Sequence, residues 1–535
     1  MITDIRTIPD GTVLEADVCI VGGGAAAIAM ATHLGGRRLN VCILESGGLN
    51  FDPANQKLAA GTQSGIPYFQ LTETSFRLLG GNTFRWGART SPLKPIDFSE
   101  RSWVPRSGWP LSRETLDPYY QRVFDFVGLH RPFNYEGHVW EHFGIDPPAF
   151  DTHALQYCAF QFGKNVLLGE LYRAQLQQEK NVAIYLHASV RQIHCSPEGN
   201  HVERLDVATL TGRKYVARAR NYVLACGGIE NPRLLLLSRS VNPHGLCNEH
   251  DLVGRYFMEH PTVSAGTLVS NHWQKLHDFF SPGLVGGRLV EFGLALSPAL
   301  QEARQCLNAV ARTNLVVSAD STQALRELLW NLRHRRMPHQ LSWYYDNNWL
   351  KQRLAAVARD PLGIVSNIVR HALGKPKRFK VDSVFLEVRT EQEPNPESRV
   401  TLSDQTDAFG QPRAHLHWSL TERDKNTMRV AAAAFKNELV RLGLGTLNTA
   451  TWLQSQDLSW PSDMVGGHHH MGTTRMSDDP GNGVVDSNCR THALDNCYIA
   501  GSSVFPTAGY VNPTSTVLAL AFRLAEHLEQ RSLRP

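Results

Sequence analysis

Near the N-terminus, Ala16-Asp17-Val18-Cys19-Ile20-Val21 is a short apolar run with β-branched side chains, the pattern of a strand buried on both faces. Gly22-Gly23-Gly24 breaks it, and Ala25 to Leu34 is rich in helix formers. A second apolar run, Val41-Cys42-Ile43-Leu44, stops at Glu45. Strand, glycine turn, helix, strand and acid, in that order, predict a βαβ unit. The same unit accounts for the uncharged stretch from Val18 to Gly36. That stretch is long enough to suggest a membrane span, but its triple glycine, Thr32 and His33 argue against one.

Further along, Val182 to Leu186 and Ala188 to Ile193 read as consecutive short strands, and Tyr222 to Gly228 as another that ends in glycines. Asn231-Pro232 then precedes a leucine-rich helix over Arg233 to Ser238. Between about 266 and 460 the pattern mixes alternating segments, such as Ser383 to Val388, with helical ones, such as Asn426 to Leu442. The last seventy residues return to glycine-punctuated strands and close on a helix over Thr516 to Leu528. No internal repeat stands out. These elements predict a nucleotide-binding domain built from residues 1–95, 155–265 and 462–535. A second, inserted domain takes 96–154 and 266–461.

Composition adds exclusions. The 535 residues are 42% hydrophobic and 19% charged, so global disorder is excluded. Net charge is +4, which gives no nucleic-acid signal. The nine cysteines form no Cys-x-x-Cys pair, and Cys19, Cys42 and Cys226 sit in apolar runs as small hydrophobes. The N-terminal residues show no secretory pattern, so a reduced, cytoplasmic protein is expected. One segment is unusual: 321–380 holds twelve Lys/Arg against Glu327, Asp346 and Asp360. Leu325, Leu328, Leu329 and Leu332 share a helical face there, and Trp330, Trp343 and Trp349 add apolar surface. The segment reads either as a docking surface for an acidic partner or lipid headgroups, or as a helical insertion packed on its own domain.

The candidate chemistry is concentrated at the two ends. Gly22-Gly23-Gly24-Ala25-Ala26-Ala27 fits G-x-G-x-x-[G/A], in which glycines allow a tight turn and close approach of a pyrophosphate to a helix N-terminus. Glu45 follows at the distance where a carboxylate accepts ribose hydroxyls. A dinucleotide is implied, without separating FAD from NAD. A second cluster, Gly80-Gly81-Asn82-Thr83-Phe84-Arg85-Trp86-Gly87, reads equally as a turn or as backbone laid against a flat ring. Near the C-terminus come Gly467-His468-His469-His470-Met471-Gly472-Thr473, Gly483-Val484-Val485-Asp486, Ala500-Gly501-Ser502-Ser503-Val504-Phe505-Pro506-Thr507 and Asn512-Pro513-Thr514-Ser515-Thr516. In an extended segment, His468 and His470 would face away from His469, and no acid or cysteine is spaced to complete a metal set.

Together these motifs resemble the glucose–methanol–choline (GMC) family of FAD-dependent oxidoreductases, strongly over about 14–110 and 463–530 and loosely between. The resemblance implies an α/β and α+β architecture. A Rossmann-like, glutathione-reductase-like FAD domain of discontinuous segments carries an inserted substrate domain with a largely antiparallel sheet and helices. It implies cofactor contacts from Gly22, Gly24, Ala26, Glu45, Ser46, Gly81, Asn82, Thr83, Trp86, Val190, Ala225, Gly501, Ser502, Asn512, Pro513 and Thr514, with Val190 at the adenine end. His469 takes the position of the family's catalytic base and Asn512 that of its partner. Imidazole suits a base because its ordinary pKa, about 6.5, lies near working pH. The motifs look most like those of sugar-oxidising members such as pyranose oxidases and bacterial sugar dehydrogenases. The implied reaction is therefore oxidation of an alcohol of a sugar, glycoside or polyol, with dioxygen or another carrier as electron acceptor. Some sugar oxidases of the family tether FAD through a histidine just before the tryptophan of the glycine cluster. Here that position is Arg85, which implies non-covalent FAD. A lyase that keeps FAD without redox chemistry is an alternative, as is an inactive flavin-binding protein, against which the intact His469 and Asn512 argue. No metal, nucleic acid or transmembrane segment is expected, and a homo-oligomer is left open.

Overall fold

The computed structural model describes residues 1–129, 147–164, 167–281, 283–285, 288–317, 321–333, 349–373 and 381–532. The βαβ unit forms from Val13–Val21, the helix Ala25–Leu34 and Val41–Leu44, with Val18 to Val21 pairing in parallel with Val41 to Leu44. These strands lie inside a sheet ordered Ile2–Asp4, Val182–Leu186, Val41–Leu44, Val13–Val21, Lys214–Leu224, Val202–Ala208, Ser189–Cys195. The first five run parallel and the last two antiparallel. Lys214–Leu224 serves two neighbours. Lys214 to Ala217 pair with Val202–Ala208, and Tyr222 to Leu224 pair with Cys497–Ile499. The C-terminal segment thereby joins the N-terminal sheet. Ala27 to Ala31 are fully buried, and their helix packs on the C-terminal helix Thr514–Ser532. That burial is the reason the stretch carries no charge.

Two expectations change here. The helix expected from Arg233 instead spans Gly227–Leu237, with Pro232 inside it. A proline lacks the N–H that would bond the carbonyl four residues back. That acceptor, Gly228 O, takes the Thr473 hydroxyl instead, at 2.7 Å, and Asn231 Oδ1 accepts from Cys226 N at 2.8 Å. The expected strands of the last seventy residues reduce to Cys497–Ile499. The rest is turns joined by single bridges such as Met258 to Met471 and Met476 to Val485, because this chain crosses the end of the sheet rather than extending it.

A second sheet, antiparallel throughout, runs Thr446–Thr449, Thr262–Val269, Val381–Thr390, Ala309–Val317, Arg288–Leu296, Leu155–Phe162, Arg89–Thr90. Its alternation is two-faced. Leu386, Val388, Ala311 and Phe292 pack with Met428 and Phe435 of the helix Glu422–Arg441 in one core. Glu387, Arg389, Arg312 and Glu291 point the other way. Arg89–Thr90, Leu155–Phe162 and the start of Thr262–Val269 fall in segments expected in the nucleotide domain, yet they pair in this sheet. Strand alternation fixes which face is buried, not which sheet a strand joins. A third, small sheet holds Arg399–Thr406, Pro412–Trp418 and Thr62–Gly65.

The basic segment forms helices Ser321–Arg333, Trp349–Arg359 and Pro361–Ala372. They pack through Ala324, Ile364 and Asn367, with an Arg353–Glu327 pair at 2.7 Å. Leu329, Leu354 and Val365 stay exposed, and Leu362 is 82% exposed. Trp343, Arg335, Arg336 and the lysines from 375 to 380 lie outside the described residues, as do the side chains of Trp330, Leu332, Arg333 and Trp349.

Arg101 and Glu391, both buried, form a two-pronged pair at 2.7 and 2.8 Å, and Glu391 also accepts from Asn308 N. Removing one partner strands a buried charge, so Arg101→Met should cost about 3–5 kcal/mol in denaturant unfolding of the protein. Arg101→Met/Glu391→Gln together should recover a large part of that loss.

Candidate active site

Where the two sheets approach each other lies a cavity of about 470 Å³, within the usual range for cofactor and ligand pockets. Every residue that the sequence assigns to cofactor contact or catalysis lines it. One end is formed by Glu45, Ser46, Val190 and Arg233, the other by Arg89, His469 and Asn512. Its floor depends on close backbone contact. A Cβ on Gly22, whose φ is +98°, would sit 2.7 Å from Ala225 O. Gly81, at φ +52°, would place a Cβ 3.1 Å from Gly24 Cα. The two glycine clusters are therefore one surface, joined by Gly80 N donating to Gly23 O at 2.8 Å.

Glu45 is buried and accepts from Gly23 N and Gly47 N, each at 2.7 Å. Burial pushes its carboxyl above the ordinary range, against the pull of those two donors. Asn82 is spent on its own loop: its amide accepts from Phe76 N and donates to Thr74 O. The cations at the Val190 end are compensated, with Arg77 and Arg233 on Glu230 at 2.9 and 3.2 Å and Arg233 on Asp407 at 2.6 Å. Glycine backbone at one helix N-terminus and a second helix N-terminus at Thr514 as donors, with the Glu45 carboxylate beside them as acceptor, suit a long dinucleotide such as FAD.

The histidine segment departs from the extended geometry expected. His468 adopts φ +58°, and all three histidines line the cavity. The His468 ring stacks on Phe69 at 4.2 Å, and His470 Nε2 lies 3.1 Å from Tyr68 Oη. A carboxylate that sequence reasoning missed holds the turn. Glu259 accepts from Gly467 N at 2.7 Å, His469 N at 2.8 Å and His260 N at 2.9 Å, and from the Tyr68 hydroxyl. Its signal was readable: Glu259-His260 is an ionisable pair inside the otherwise apolar run from Tyr256 to Pro261.

His469 and Asn512, 43 positions apart, meet: Asn512 Nδ2 is 3.2 Å from His469 Nε2. The other edge of the ring faces His260, Nδ1 to Nδ1, at 2.8 Å, and His260 Nε2 faces Ala508 O at 3.2 Å. These contacts fix the protons. A carbonyl only accepts, so His260 Nε2 carries a hydrogen. Burial brings the His260 pKa down to about 3, with the Arg389 charge adding to the effect, so the ring is neutral and its Nδ1 is an acceptor. His469 must then donate from Nδ1, which leaves a lone pair on Nε2 facing the cavity. Burial, followed by His260 and Arg389, holds His469 well below the ordinary histidine range. On Asn512, Oδ1 accepts from Arg89 Nη1 at 2.9 Å and Arg389 Nη1 at 3.4 Å, so its NH₂ faces His469. His260, Arg89 and Arg389 were not expected from the sequence.

Among the described residues, no helix is long and apolar enough to cross a membrane. None of their His, Cys, Asp and Glu side chains form a group of three or more that could hold a metal ion.

Comparison with known proteins agrees with this geometry. Residues 394–521 match the family model described as GMC oxidoreductase. The chain is 22% identical to 2-methyl-1,2-propanediol dehydrogenase of Mycolicibacterium austroafricanum, over 85% of this chain and 81% of that protein. It is 24% identical to 6'''-hydroxyparomomycin C oxidase of Streptomyces lividus, over 96% and 92%. In fold it is similar to pyridoxine 4-oxidase from Mesorbium loti, with a TM-score of 0.55 and 17% identity over 96% of this chain and 99% of that one. With the motifs at both ends and the cavity they line, these matches make the chain similar to GMC oxidoreductases.

Proposed function

We propose that the protein oxidises an alcohol group of a sugar-like or polyol substrate at the cavity end formed by His469 and Asn512, with FAD held non-covalently. The observation that carries this reading is the Ala508–His260–His469–Asn512 chain of contacts, which presents one unprotonated imidazole nitrogen beside one amide donor. When bound, FAD supplies the acceptor for the hydride that leaves the alcohol carbon. His469 Nε2 takes the hydroxyl proton, because the contacts leave it unprotonated, its lone pair accepting from the Asn512 amide until the alcohol takes that place. Asn512 Nδ2 donates to the alcohol oxygen and so fixes the direction of the C–H bond. Gly22, Gly24 and the Thr514 helix N-terminus receive the pyrophosphate and ring, and Glu45 takes the ribose end. Support for a sugar-like substrate comes from the Streptomyces lividus relative, whose match spans nearly the whole chain. Support for the non-covalent form comes from Arg85 at the tether position, where its guanidinium reaches back to Glu73 O at 3.5 Å.

His469→Ala should retain FAD and slow anaerobic flavin reduction about 100-fold or more, the scale of a lost general base. A wild-type rate in that variant, with a slow His468→Ala or His470→Ala, would move the base to another ring. His260→Ala removes the group that fixes the His469 tautomer and should slow reduction about 10- to 100-fold. Because His469 sits well below the ordinary range, the wild-type rate should stay level as pH falls through about 6.5. In His260→Ala, which loses a buried neighbour that opposes protonation, the fall in rate should move up towards that value. Acid or heat should release the flavin completely, as shown by its absorbance in the supernatant; yellow colour left on the precipitated chain would contradict non-covalent binding.

A further inference from the structure

The helices that follow the strand Ala309–Val317 carry an unusual outer face. Large aliphatic side chains stay exposed on all three, and Leu362 and Leu373, at 82% and 64%, are the most exposed of that kind among the described residues. On the helix Pro361–Ala372, Leu362, Val365 and Val369, with Leu373 at the end, recur at spacings of three, four and four, so they form one stripe. Ile368 is exposed beside it, while the buried positions, Ile364 and Asn367, lie off the stripe. The sequence specifies this helix locally. Asp360 Oδ1 caps its first turn by accepting from Gly363 N at 2.8 Å, and Pro361 opens it. A folded monomer rarely exposes a contiguous apolar patch above a few hundred Å². Exposed aliphatics elsewhere on the described chain stand singly along the sequence.

Charge around the stripe is positive. Arg326, Lys351 and Arg359 are exposed on these helices. The two described carboxylates are occupied: Glu327 holds Arg353 at 2.7 Å, and Asp360 is the cap. In sequence, 321–380 has twelve Lys/Arg against three acids, a net +9 in a chain of net +4, so the rest of the molecule is net negative. We propose that this insertion docks the protein on an anionic lipid bilayer. The helix Pro361–Ala372 lies in the bilayer surface, its aliphatic stripe against the acyl chains and the basic side chains on headgroup phosphates. At twelve residues it is too short to span, so it lies along the surface. The stripe offers no ring, amide or guanidinium, the usual anchors of a protein interface. A second copy would set like charge against like. An anionic surface attracts this pole and repels the net-negative remainder, which orients the molecule. The inference does not rest on the oxidation proposed above.

The test floats the purified holoenzyme with vesicles of phosphatidylcholine alone and of an equal mixture with phosphatidylglycerol. The mixed vesicles should bind it about 10-fold or more tightly, and raised salt should narrow the difference. Leu362→Gln/Val369→Gln/Leu373→Gln should weaken binding to mixed vesicles about 10-fold or more, and Lys351→Glu/Arg359→Glu by a similar factor. These side chains are exposed, so flavin content and the unfolding midpoint should stay at wild-type values in both variants. In the wild-type protein, which needs no substitution, mixed vesicles should slow amide exchange over 361–373. No binding to mixed vesicles overturns the proposal, as does equal binding to both kinds or binding that both variants keep. A dimer in sizing chromatography that the glutamine variant breaks, without vesicle binding, assigns the face to a second copy and overturns it too.

Discussion

One buried carboxylate holds the active end of this molecule together. Glu259 lies three residues before the strand Thr262–Val269 of the antiparallel sheet, yet its oxygens collect the backbone N–H groups of Gly467 and His469 from the C-terminal segment. It also takes the N–H of His260 and the hydroxyl of Tyr68. Four donors thus converge on one side chain, from two distant stretches and from its own neighbour His260. A turn containing a left-handed His468 has no strand ladder to support it. Glu259 supplies those acceptors, and in doing so sets where the His469 ring projects.

From that fixed point the chemistry is a matter of proton placement rather than of charge. The rings of His260, His469 and His470 are each held below the ordinary histidine range by burial. With the rings neutral, a single backbone carbonyl at Ala508 is enough to decide both tautomers in the relay. Asn512 closes the other side, its amide orientation fixed by Arg89 in turn. The proposed base is therefore prepared by buried, neutral rings and by hydrogen-bond direction. The guanidiniums of Arg89 and Arg389 beyond Asn512 belong to the charged face of the second sheet and reach its Oδ1 from there.

That sheet shows how one pattern serves two cores. Residues 384, 386 and 388 fill the helix-backed core while 387 and 389 point to the opposite face. Hydrophobic alternation in Ser383 to Val388 was readable as a strand, but not what its polar positions face. In the fold they are not solvated. They meet the nucleotide-binding half of the molecule, and their charges are largely paired with each other.

Much of the site was legible locally. The βαβ unit, the glycine turn and Glu45 are a contiguous pattern whose spacing follows from strand and helix geometry, and His469 and Asn512 sit in short motifs with little freedom. The helix around Pro232 was misplaced because its missing hydrogen bond is replaced from Thr473, far away in sequence. His468 was misread because an extended backbone was assumed where Glu259 imposes a turn. The membership of Leu155–Phe162 in the second sheet could not be read at all, since a strand's alternation names its faces but not its neighbours. What the sequence by itself determined was the class of ligand cradle and which histidine is proposed as the base, since both depend on nearby residues in fixed order. Which nitrogen of His469 is left unprotonated, and which guanidiniums hold Asn512 beside it, was decided by tertiary structure alone. Those properties arise where side chains hundreds of residues apart share one buried hydrogen bond.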